Sequence, residues 1–111
     1  MQLIGNKLIV GFHEWAWSLR TQGFPVFAVL EDGQVVKIGV TTKGRETYYL
    51  PEGTVAVVRK YYTNRGYLTI FVYLIQDGKV IEVIVDEGND FEQLNQLPPV
   101  VQKAVDDMIG E

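Results

Sequence analysis

The chain has no cysteine, one histidine and one serine among its 111 residues, and each scarcity removes a chemistry. Without thiols there is no disulfide, no thiolate nucleophile and no zinc site of ordinary ligand count. A Ser-His-Asp triad would have to draw both His13 and Ser18 from one short segment, at a spacing awkward for a single helix face. His13-Glu14 begins a zincin-like string, but no second histidine follows, and neither a phosphate-binding lysine loop nor a G-x-G-x-x-G fingerprint is present. Asp86-Glu87-Gly88-Asn89-Asp90 offers oxygen ligands to calcium, yet it lacks the EF-hand order and the closing glutamate, and reads as a solvated acidic turn. No apolar run approaches bilayer length, and the first residues lack the basic, apolar and small-residue order of a secretory signal. The expectation is therefore a cytoplasmic, intracellular protein with no membrane partner, no cofactor, no metal and no catalytic residue.

What is present is a core. A hydrophobic fraction of 47%, with 12% aromatic residues, excludes disorder, and 111 residues suit one domain spanning 1–111 without staples. The valine-rich, cysteine-free composition would suit a thermophile. The net charge of -4 is uneven: seven acidic residues against Lys103 leave the segment from Asp86 onward at −6 and the remainder at +2. The acidity is local, which disfavours non-specific coating of DNA and leaves room for a small basic site on the body.

The stretch from Gly53 to Val85 carries most of the structural information. Asp77-Gly78 is a strong two-residue hairpin signal, because a type I′ turn needs positive φ at both central residues, so Gln76 is expected to pair with Lys79. Thr63-Asn64-Arg65-Gly66 reads as a four-residue connection that pairs Tyr62 with Tyr67. Side chains alternate across a strand, so one face then collects Val55, Val57, Leu68, Ile70, Val72, Leu74, Ile81, Val83 and Val85, interrupted by Arg59 and Tyr61. The other face collects Val58, Lys60, Tyr62, Tyr67, Thr69, Phe71, Tyr73, Val80, Glu82 and Ile84, a mixture that suits a partly wet cover.

Elsewhere the pattern is a meander ending in helices. Leu3 to Val10 reads as one opening strand, with a tight hairpin about Gly5-Asn6 as the alternative. Phe12, Trp15, Ala16 and Leu19 have helical spacing, while His13, Trp15, Trp17 and Leu19 alternate as in a strand; the helix is preferred over 12–20. Val26 to Leu30 and Gln34 to Thr41 form a hairpin about Asp32-Gly33, and a short strand follows near Glu46 to Leu50. The run from Val29 to Val40 aligns without gaps onto Leu74 to Val85 with Asp, Gly and two Val identical, which duplication or shared turn rules would each produce. Asp90 and Gln93 resemble a capping box opening a short helix through Leu97, and Pro98-Pro99 restarts the chain. Val101, Ala104, Val105 and Met108 make the stripe of a last helix that would cover the aliphatic sheet face. The fold expected is α+β: an antiparallel β-meander of about six or more strands, with a short N-terminal helix and a C-terminal helix packed on one face.

Three functional readings follow. The first is a non-enzymatic interaction module in which Tyr62, Tyr67, Thr69, Phe71 and Tyr73 meet a second subunit, as a homodimer, or another protein. On that reading Phe71→Lys disrupts assembly without unfolding the domain. The second is nucleic-acid binding at the hairpin tip, where Arg59, Lys60 and Arg65 interleave with tyrosines as in single-strand binders. Arg65-Gly66-Tyr67 begins an RNP1-like string, but Leu68, Thr69 and Val72 fail it where bases would stack, and ordinary strand propensity explains the same residues. The third is a small-ligand enzyme using His13 beside Trp15 and Trp17.

Overall fold

A computed structural model of the chain describes residues 2–10, 23–41, 46–62, 65–89 and 91–110. The helix or strand expected over 12–20 lies outside the described residues. Within them the fold is α+β, with eight antiparallel strands in two sheets and one C-terminal helix. Strands β1 (Gln2–Ile4), β2 (Lys7–Val10) and β5 (Glu46–Tyr49) form a small sheet in the order β1-β2-β5. Strands β3 (Pro25–Leu30), β4 (Val35–Val40), β6 (Thr54–Tyr62), β7 (Leu68–Gln76) and β8 (Lys79–Asp86) form a large one in the order β4-β3-β6-β7-β8. The opening segment is a hairpin and not one strand: Gly5 at φ 59 turns the chain, and Ile4 pairs with Lys7.

The register of β7 on β8 follows from its turn. Asp77 and Gly78 have φ of 53 and 73, the type I′ geometry, and Gln76 pairs with Lys79 as expected. The register of β6 on β7 differs by one residue, because Tyr67 belongs to the connection and Tyr62 pairs with Leu68. A slip of one residue turns every side chain of a strand over. Ala56 and Val58, not Val57, therefore share a face with Ile70, Val72 and Leu74, and Val55, at the irregularity opposite Val29 and Leu30, packs against the same core, while Val57 and Arg59 turn to the opposite side.

The two Asp-Gly hairpins also part company. In the first, the Leu30 N–H donates to Gln34 O at 2.8 Å around a three-residue loop, and only Gly33 takes positive φ, at 92. Asp32 holds this loop by accepting from the Gln34 N–H at 3.0 Å and from its side-chain amide at 2.9 Å. Shared letters thus close two turns of different length. The likeness between the halves is one of letters and not of turn geometry.

Each face of the large sheet is covered. Helix α1 (Pro99–Ile109) buries Val101, Ala104, Val105 and Met108 against Val29, Val58, Ile70, Val72 and Val85, as its stripe implied. Pro99 occupies its first turn, where a missing N–H costs no intrahelical bond. The approach to α1 is a pair of 3₁₀ turns, Glu87–Asn89 and Glu92–Gln96, the second being the short helix expected through Leu97. Phe91 stands at the cap of the second turn with φ 57 and no side-chain cap, and Asp90 is outside the described residues. On the opposite face the small sheet lays Leu8, Val10, Tyr48 and Leu50 over Val26, Val57, Phe71 and Tyr73. The order of layers is helix, large sheet, small sheet.

Candidate functional site

The covering sheet decides the fate of the aromatic face. Thr69, Phe71 and Tyr73 are buried, with Phe71 7% and Tyr73 0% exposed. Their apolar bulk is satisfied within the chain, so these three do not form the open contact surface expected of them. Tyr62 and Tyr67 remain exposed beside the β6–β7 connection, where the Tyr62 ring lies 6.0 Å from that of Phe24. The interaction set is thus divided by the small sheet.

The basic set is divided too. Arg65 is exposed in the connection and Lys60 is half-buried, but Arg59 points under the small sheet. Its guanidinium lies 3.2 Å from the Glu46 carboxylate and donates from Nη1 to the Tyr73 hydroxyl at 2.9 Å. The Tyr48 hydroxyl donates to the same Glu46 carboxylate. Alternation along β5 explains the arrangement: Glu46 and Tyr48 face inward, while Thr47 and Tyr49 face out. β5 supplies one charge and β6 the other, so a buried ion pair joins the two sheets. The Arg59 Nε is buried and has no hydrogen-bond partner among the described residues.

Sequence reasoning missed this cluster. It treated Glu46 to Leu50 as a plain strand and Arg59 as an interruption of the aliphatic face. Two signals were available: a glutamate at an inward position of a short apolar strand, and an arginine in the middle of a valine-rich one. Both are residues that are rarely buried unless paired.

Burial pushes the Tyr48 phenol far up, and the hydrogen bond to Glu46 adds to the effect. Burial also raises Tyr73, against the opposing pull of Arg59. An unfolded tyrosine titrates near about pH 10. Because the folded values lie above that, the stabilisation is complete below about pH 10 and declines as pH rises beyond it. The urea midpoint is expected to fall between about pH 9 and about pH 11, with a shallower fall in the Tyr48→Phe variant. Equal slopes in the two proteins would show that the Tyr48 phenol ionises as freely folded as unfolded.

Asp86 accepts from the Gly88 N–H at 2.9 Å and Glu87 from the Leu68 N–H at 2.7 Å, so both carboxylates hold backbone. Among the described residues no group of three His, Asp or Glu side chains is placed to bind a metal ion. No described helix is long and apolar enough to cross a membrane. His13, Trp15 and Trp17 lie outside the described residues.

The edge strands of the large sheet are features able to take a partner. Among the described residues β4 and β8 each have one hydrogen-bonded neighbour. Val35 and Val40 on β4 are each 42% exposed, and Ile81 and Ile84 on β8 are 49% and 42% exposed. No protein-family model, no curated protein and no solved structure matches the chain.

Proposed function

We propose that the chain is a non-enzymatic interaction module that self-associates, through the open edges of its large sheet in place of the aromatic face. The observation carrying this reading is the exposure of Val35, Val40, Ile81 and Ile84 on the two edge strands. A scattered surface valine needs no explanation, but an unpaired strand bearing apolar side chains is a template for another strand. Nucleic-acid binding at the hairpin tip is the weaker reading, since the commitment of Arg59 to Glu46 leaves Arg65 and a half-buried Lys60 as its cations.

Light scattering after size exclusion tests the proposal. The mean mass is expected to climb above the 12.6 kDa of one chain as concentration is raised. A constant monomer mass into the millimolar range would reject self-association.

A further inference from the structure

Resting on that reading of self-association, we infer that the two edges pair with each other between copies, β4 of one against β8 of the next, with Lys37 opposite Glu82. Each edge repels its own copy. In a two-fold antiparallel pair within one sheet, opposed residues lie on the same face, and the register is defined by the residue on the axis. Centring β8 on Ile81, Glu82 or Val83 sets the two Glu82 side chains directly opposite or diagonal to one another. Centring β4 on Val36, Lys37 or Ile38 does the same to Lys37. Both charges are exposed and stand near the middle of their strands, a placement that discourages like edges from joining.

Between unlike edges the same charges match. The type I′ turn makes Gln76 and Lys79 a hydrogen-bonded pair, so the backbone groups of Val80, Glu82, Ile84 and Asp86 point away from β7. The Asp86 carbonyl accordingly accepts from the Phe91 N–H and not from β7. On β4, the Leu30 to Gln34 bond fixes the same alternation, which leaves Val35 and Lys37 with outward backbone groups. Antiparallel pairing of Lys37 with the partner's Glu82 therefore also brings Val35 against the partner's Ile84. In both pairs the outward N–H and C=O groups meet, one pair joins opposite charges, and the other joins two side chains that are 42% exposed in the single chain.

The side-chain faces set the symmetry of the assembly. Val35 and Lys37 pair with Val29 and Phe27, on the helix side, whereas Glu82 and Ile84 pair with Tyr73 and Phe71, on the small-sheet side. A continuous sheet then places α1 on alternate sides in successive copies. The contact is heterologous and leaves a free β4 at one end and a free β8 at the other, so it propagates. The irregularity in β4 opposite Val26 and Phe27 ends the matched register just after Lys37, which keeps each contact short.

Charge exchange tests the pairing. By sedimentation velocity, Lys37→Glu and Glu82→Lys are each expected to weaken association roughly tenfold or more, since each sets like charges opposite. Both positions are exposed, and unchanged melting curves will show that the variants fold. Mixing the two single variants, or combining both changes in one chain, restores association. Association of the wild-type protein that ignores the single changes, or fails to return in the double variant, would overturn this pairing while leaving self-association intact. A wild-type protein that never associates would remove both.

Discussion

Glu46→Ala is expected to cost about 3–5 kcal/mol of folding stability, because it strands the Arg59 charge between two sheets. The Glu46 and Arg59 side chains are 4% and 9% exposed, so water does not replace the lost carboxylate. The Tyr48 hydroxyl loses its acceptor in the same substitution, adding an unsatisfied buried donor. For a domain of this size the midpoint of thermal unfolding should fall by on the order of 15 °C. Removing both charges together behaves differently. Glu46→Leu with Arg59→Met eliminates the desolvation cost along with the attraction, and should recover much of the loss. The recovery is partial, since the Tyr48 and Tyr73 phenols stay buried without partners. Adding Tyr48→Phe and Tyr73→Phe to that double variant should bring stability back near the starting value. Denaturant titrations of the series measure each step, and a mild loss in Glu46→Ala would show that water reaches the pair.

The same cluster marks where the sequence stops being legible. Local rules placed Asp77-Gly78, the α1 stripe and the β3–β4 hairpin correctly, because turn φ values and apolar spacing are properties of neighbouring residues. The β6–β7 connection required one more piece of information, its length. Whether Tyr67 closes the loop or starts the strand is decided by where Leu68 finds cover, and Leu68 is buried beside Ile70 under the C-terminal elements. That one-residue difference moved Arg59 from the helix side to the small-sheet side. The division of strands into two sheets was still less accessible, since β2 pairs with β5 across more than thirty intervening residues by contacts that no local pattern encodes. The interaction face was readable as chemistry: Thr69, Phe71 and Tyr73 do share one side of β7 with Glu82 and Ile84 on β8. Its cover was not readable, because Leu8, Val10, Tyr48 and Leu50 become an apolar surface only once the small sheet has formed.

Phe71→Lys separates the covered face from the open one expected of the sequence alone. On an open face the lysine would disturb a partner and leave the domain folded. Under the small sheet it places an ammonium beside Val57, Tyr73 and Leu8, where the ring is 7% exposed. Desolvating that charge costs several kcal/mol, and loss of the packed ring adds a further cavity cost of about 3 kcal/mol. A domain toward the lower end of ordinary stability, about 5–15 kcal/mol, cannot absorb both without substantial unfolding. The lysine also has a route to relief by losing its proton, so the defect should ease as pH rises through the lowered value of the buried amine. Tyr67→Lys is the matched control, since Tyr67 is exposed and the change should cost under about 1 kcal/mol. Amide NMR dispersion and thermal melts read both variants. A Phe71→Lys protein that keeps wild-type dispersion and melting temperature would mean that the small sheet does not seal the aromatic face, and would return Thr69, Phe71 and Tyr73 to the surface as a binding site.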